Sequence, residues 1–296
     1  MSIVKSFSVG NGDMFYIKHN TDNFTIIDCC MDESNRDKIV DDLLKESKEK
    51  TIKRFISTHP DEDHLRGLKF LDQKMPIVNF YCTQNEATKS DESEDFKYYC
   101  NLRDSDKSYF IKKNCQRKWM NLSDDERGGA GINILWPNTS NTDYKNALDA
   151  AENGESPNNI SPIIRYAINK GSSFLWMGDL KEDFMEKIKD DIDLEKTCVL
   201  FAPHHGRDSG KVPLSMLKKI DPKIIVIGEA PSQHLNYYRG YNTIKQNSAG
   251  TIVFDSNDSE YTDVFVESAS YIEGFLEKRP RIKNRPNEYY IGSFKN

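Results

Sequence analysis

The 296-residue chain has no long apolar run: stretches such as Ile224 to Ile227 fall far short of the ~20 residues a membrane helix needs, so no span is expected. Met1-Ser2-Ile3-Val4-Lys5 lacks the charged-then-apolar order of a secretory signal. Basic charge is not in excess either. With 41 Lys+Arg against 47 Asp+Glu, the net charge of -6 excludes a global positive field that would draw in nucleic acid or an anionic membrane. A nucleic-acid substrate would need a local basic patch. No C-x-x-C pair occurs among Cys29, Cys30, Cys82, Cys100, Cys115 and Cys198, and adjacent Cys29 and Cys30 do not bridge without strain, so a reducing cytoplasm is the expected compartment. Internal repeats and low-complexity tracts are also missing. The length suits one large α/β domain, expected over 1–296, or two small ones.

Periodicity predicts strands at 3–9, 14–18, 24–28, 54–57, 77–82 and 131–136. A hairpin is expected from 160–168 and 173–177 around Lys170-Gly171, with further strands at 199–202, 224–227, 251–254 and 264–266. Arg36 to Lys48 is an amphipathic helix with Ile39, Leu43 and Leu44 inward, and helices are expected at 181–189 and 212–218. Another begins over Leu65 to Leu71, which would set its N-terminal dipole beside the preceding loop. Two such mixed halves suit a four-layer αββα sandwich. Residues 84–128 are highly charged with scattered aromatics and read as a helical insertion over the mouth of the site. They would carry specificity, contact a protein partner, or simply pack on the body. The basic tail, 277–296, has Pro280 and Pro286 against a helix; its cations either touch phosphates or stay mobile.

His59-Pro60-Asp61-Glu62-Asp63-His64 follows the predicted strand at 54–57 and packs two imidazoles and two aspartates into six residues. Such a set can face one point only if the backbone turns tightly, a geometry that fits two adjacent cations. Imidazole suits zinc, whereas the aspartates tilt the site toward harder ions such as manganese.

Thr58 to Leu68 resembles the first metal motif of the metallo-β-lactamase superfamily, and most nearly that of its ComEC-like branch, which carries Asp at the place of Asp61. Val9-Gly10-Asn11-Gly12-Asp13, with Ile26-Ile27-Asp28 after it, resembles that branch's opening hairpin. Trp176-Met177-Gly178-Asp179 is similar to its "TGD", and Ala202-Pro203-His204-His205-Gly206 to its "apHHG". The resemblance spans about residues 3 to 255 and implies the αββα fold and a metal-dependent hydrolase. The membrane channel that accompanies such domains in DNA-uptake proteins is not carried over.

A two-metal hydrolase needs a bridging carboxylate and an activated water. His59 and Asp61 are assigned to one metal, Asp63 and His64 to the other. Asp179, which ends a predicted strand after Gly178, is assigned to the bridge. His205 is the expected further ligand, with His204 as a competitor or a partner behind it. The nucleophile would be a metal-bound hydroxide, oriented or deprotonated by Asp63. The family's usual isolated histidine is missing, since none lies between His64 and His204; Asn158-Asn159-Ile160-Ser161 stands there instead, as in ComEC-like relatives. His234 is either a ligand or substrate contact, or a surface residue. Asp13 and Asp28 either accept from ligand imidazoles or cap turns. His19 is expected at the surface, and Arg66, Lys181, Lys211 and Arg207 are candidate phosphate contacts. Phosphodiester hydrolysis, in nucleic acid or a nucleotide, is the expected activity. Hydrolysis of a small ester, lactam or thioester, and an inert binding module, are the alternatives.

Overall fold

The computed structural model describes residues 2–256 and 259–296. Residues that alternate along its strands part into separate apolar layers. In β1 (Ile3–Ser6), β2 (Phe15–Lys18), β3 (Asn23–Ile27) and β4 (Ile52–Ile56), Val4, Phe15, Ile17, Ile27 and Ile56 enter one cluster. Their neighbours Ile3, Tyr16, Phe24, Ile26 and Phe55 enter another, where they meet Ile39, Val40 and Leu43 of α1 (Arg36–Ser47). A strand buried on both faces needs apolar residues at both parities, which is why these segments are so rich in Ile and Phe.

The chain continues through α2 (Glu62–Leu65), α3 (Leu68–Lys74), β5 (Phe80–Cys82), α4 (Glu94–Arg103), β6 (Ser108–Phe110), β7 (Ile132–Trp136), α5 (Thr142–Glu152), β8 (Ile163–Ala167), β9 (Ser173–Trp176) and α6 (Glu182–Ile188). It ends with β10 (Val199–Phe201), α7 (Leu214–Ile220), β11 (Ile224–Ile227), β12 (Thr243–Lys245), α8 (Gln246–Ala249), β13 (Ile252–Asp255), β14 (Tyr261–Val266) and β15 (Tyr289–Lys295). One sheet has nine strands in the order β15-β14-β13-β1-β2-β3-β4-β5-β6, and the other has six, β12-β11-β10-β9-β8-β7. Both are mixed. The pairs β3·β4, β4·β5 and β5·β6 are parallel in the first, as are β9·β10, β10·β11 and β11·β12 in the second. Between the sheets, Trp176 stacks on Phe201 with centroids 4.9 Å apart, and Phe15 of the nine-stranded sheet meets Phe201 edge-on at 4.9 Å. The other face of the six-stranded sheet sets Leu175, Leu200 and Ile225 against Phe184 and Met185 of α6 and Met216 and Ile220 of α7.

Five expectations are corrected. Leu44 of α1 is exposed rather than inward, and Val40 takes the buried position beside Ile39 and Leu43. The segment 65–71 is not one helix, because Gly67 at φ 84° separates α2 from α3, and Asp95 accepts from the N–H groups of Gly67 (2.8 Å) and Lys69 (3.0 Å). The insertion at 84–128 is not purely helical: it contains α4, but β6 pairs with β5 and extends the main sheet. The tail is ordered through β15, which pairs with β14, and two of its cations pair with the body, Arg279 with Asp263 (3.3 Å) and Arg285 with Asp255 (3.0 Å), while Arg281 and Lys283 stay exposed. His19 is buried. Its Nε2 lies 2.9 Å from Thr25 Oγ1, a hydroxyl shared with the Arg54 guanidinium at 3.0 Å, and its ring meets Tyr166 edge-on.

Burial, reinforced by Arg54, holds the His19 imidazole well below its ordinary value. The unfolded chain then takes up a proton near pH 6.5 that the folded chain refuses, so this contribution to stability is complete above that pH and is lost as pH falls. The stability gap between wild type and His19→Gln is expected to narrow between pH 7 and 5, by up to ~1.4 kcal/mol per pH unit. Urea melts at several pH values measure it; a constant gap refutes it. Among the described residues, no helix is long and apolar enough to cross a membrane.

Candidate metal centre

The residues singled out from sequence come from connections that follow parallel strands in both sheets. Asp28 follows β3, Thr58 and His59 follow β4, Asp179 follows β9, and His204 and His205 follow β10. Carboxyl ends of parallel strands leave open backbone ends and are where α/β sheets carry their sites. Asp13 arrives from the β1–β2 connection, where a Cβ on Gly12 would stand 2.6 Å from the Asp63 carbonyl. That close approach lets the Asp13 amide donate to the same carbonyl at 3.1 Å. Gly178, at φ 50°, allows a second: a Cβ there would meet Ser161 Oγ at 2.6 Å and the Thr58 Cβ at 3.1 Å. Asp28, His204 and His205 also lie in the left-handed region, at φ 56°, 52° and 55°. Non-glycine residues held there cost energy and cluster at functional sites.

Asp179 is the hub, and it is buried. Its Oδ1 lies 3.2 Å from His64 Nε2, and its Oδ2 lies 3.7 Å from His205 Nε2, 3.7 Å from His204 Nε2 and 3.9 Å from His59 Nε2. Asp63 Oδ2 is 3.3 Å from His205 Nε2, and Asp61 Oδ2 is 3.6 Å from His59 Nε2. The outer ring nitrogens are occupied. His64 Nδ1 donates to Asp28 at 2.9 Å, and His205 Nδ1 to Asp13 at 3.1 Å. Thr58 Oγ1 donates to Asp28 at 2.6 Å and so must accept from His59 Nδ1, at 3.0 Å. Each of these three rings, in its neutral form, therefore presents a bare Nε2 lone pair inward, as a metal ligand does.

Among the described residues, His59 Nε2, His64 Nε2 and Asp179 Oδ1 have no hydrogen-bond partner despite being buried. His64 Nε2 and Asp179 Oδ1 approach to 3.2 Å without meeting the geometry of a hydrogen bond. Orphaned buried polar atoms are costly, and bound divalent cations would satisfy them. Among the described residues, Asp13, His64, Asp179 and His205 each place one ligand atom within 4.8 Å of the others. Since Asp13 Oδ1 is taken by His205 Nδ1, Asp63 is the better-placed carboxylate on the inner side of that ring.

Charge follows the same pattern. Burial opposes a proton on His64, but the Asp179 and Asp28 carboxylates outweigh it and hold the imidazole well above its ordinary value. At His205 burial is likewise overcome, by Asp13 and Asp179, and the ring is pushed up to about 10. Asp179, resisting burial through His64 and His205, and Asp63, resisting it through His205, are held below the usual carboxylate range. Protons on these rings supply the positive charge that an ion would otherwise bring, so ion and protons compete.

His204 points inward as His205 does, with its Nδ1 2.7 Å from Ser209 Oγ, so both histidines face Asp179. His234 is not brought to the cluster. Past β11 the chain reaches the β1–β2 connection through Glu229, which accepts from the Gly10 amide at 2.6 Å, while His234 lies 3.2 Å from Gln233 Nε2 and 3.4 Å from the Tyr237 hydroxyl. Asn158 to Ser161 support the Asp179 loop: Ser161 Oγ accepts from the Asp179 amide (3.2 Å) and Asn159 Oδ1 from the Lys181 amide (3.1 Å). Sequence reasoning missed Lys89, whose Nζ lies 2.7 Å from Asp61 Oδ1. No local motif marks it, because tertiary docking of the insertion brings it there. Three surface cavities of about 340, 470 and 460 Å³ are lined by other residues, so ligand chemistry rather than volume singles out the cluster.

These features define a mixed α/β protein with a buried His/Asp cluster suited to a divalent cation. In comparison with known proteins, the chain matches no family model and no curated protein.

Proposed function

We propose that the chain is a metal-dependent phosphodiester hydrolase, acting on nucleic acid or a nucleotide with two divalent ions, zinc or manganese, in a four-layer αββα sandwich of the metallo-β-lactamase type. The layering is supported by the three apolar clusters, one between the sheets and one on the helix-covered side of each. The observation that carries the activity is the convergence of inward Nε2 atoms on Asp179, with buried ligand atoms lacking any other partner.

On this reading His59 and Asp61 would hold one ion and Asp63, His64 and His205 the other, with Asp179 available to both. Bound ions would supply Lewis acidity toward a phosphoryl oxygen and lower the pKa of water to about 7. The chain's own residues do the rest. Asp28 and Asp13 fix the tautomers of His64 and His205, Thr58 fixes that of His59, and Asp63 offers an oxygen that can orient a water or accept its proton. His204, nearer the surface than His205, faces Asp179 from the open side, where it would meet a bound substrate.

Protein purified without chelator is expected to carry about two ions per chain and to hydrolyse bis-p-nitrophenyl phosphate or labelled DNA with manganese, zinc or magnesium. Absence of both bound metal and turnover with every ion defeats the proposal. Turnover of p-nitrophenyl acetate in preference to the phosphodiester would reassign the substrate to small esters.

A further inference from the structure

We infer that Lys89 is a built-in cation that makes the two metal positions unequal, competing with the ion held by His59 and Asp61 and leaving the Asp63, His64 and His205 side to bind first. The inference rests on the two-ion reading above. One oxygen of Asp61 lies 2.7 Å from the Lys89 ammonium, and the other lies 3.6 Å from His59 Nε2. The same carboxylate thus serves a resident positive charge on one side and the candidate ligand set on the other. Both side chains are largely screened from solvent, at 22% and 27% exposure, so their attraction is less weakened than that of a surface pair.

Lys89 is not a wandering surface lysine. Its ammonium sits 5.4 Å over the Phe96 ring of α4. That helix is fastened to the His59 motif and to the segment after it: Ser93 Oγ donates to Glu62 (2.7 Å), Asp95 accepts from the Gly67 and Lys69 amides, and Lys69 pairs with Glu94 (3.0 Å). The insertion therefore delivers one fixed positive charge to one of the two candidate positions, whereas the cations that face Asp63 and Asp179 among the described ion pairs are imidazoles, which give up a proton to an arriving ion and become its ligands. Like charges oppose each other by Coulomb's law, so an ion entering beside Asp61 does so against Lys89.

Titration of metal-free protein with zinc or manganese, followed by calorimetry and by competition with a chromophoric chelator, tests this. Wild type is expected to show a tight and a weak class of ion, and Lys89→Met to tighten the weak class by at least about tenfold while leaving the tight one in place. Lys89→Arg, which keeps the charge, is expected to behave as wild type. So is Lys69→Met, which cuts another contact of the insertion without touching Asp61. Unchanged ion classes in Lys89→Met overturn the inference while the two-ion reading stands. A wild type that binds no ion overturns both.

Discussion

Asp179→Ala is expected to abolish metal-dependent phosphodiesterase turnover, by about a thousandfold or more, equal to ~4 kcal/mol of transition-state stabilisation. The magnitude follows from its place. Among the described residues it is the one carboxylate within 4 Å of four imidazole nitrogens, those of His59, His64, His204 and His205, so its loss takes the shared ligand from both candidate positions at once. Substitution of Asp63 removes a carboxylate from one side alone and should leave an ion on the other. The pair separates the roles when metal content is measured beside turnover. An Asp179→Ala protein that keeps wild-type turnover would eliminate the two-ion reading.

Removing the ions from wild type is expected to cost stability heavily. An ion at a thousandfold its dissociation constant stabilises the folded chain by ~4 kcal/mol, which for a domain of this size corresponds to a fall in Tm on the order of 10 °C upon chelation. The effect should grow with pH. Because the folded-state value of His205 is raised to about 10, its proton stabilises the metal-free fold fully below about pH 6.5 and is lost as pH rises toward 10. Calorimetric scans with and without chelator at pH 6.5 and 9 measure both effects. An equal Tm with and without chelator at both pH values would count decisively against ion binding.

Much of this arrangement was legible in the sequence because it is encoded locally. The strands at 24–28, 224–227 and 251–254 are apolar at both parities, and the elements found there agree to within a residue or two. Motifs anchored to strand ends, at 59–64, 179 and 204–205, are likewise brought together, since a strand's end fixes where the next few side chains can point. What escaped depends on remote partners. Ser108 to Phe110 form a strand only because Phe80 to Cys82 offer an edge, and Tyr289 to Lys295 only because Tyr261 to Val266 do. The reach of Lys89 to Asp61 and the burial of His19 depend in the same way on packing that neither residue's neighbours announce. For His234 the sequence left a site role and a surface position open, and the loop that carries it approaches the β1–β2 connection through Glu229.

The nine-stranded sheet has a consequence for how the chain must be made. Ile3 to Ser6 lie between Phe15 to Lys18, available within moments of synthesis, and Ile252 to Asp255, which the ribosome delivers some 250 residues later. Until then one edge of the opening hairpin stays bare, a template for mispairing with another nascent chain. The candidate metal ligands share this lateness, since Asp179 and His205 emerge more than a hundred residues after His59 and His64. An ion encountered early would find only half of its cage, which makes the order of synthesis itself a barrier to premature loading.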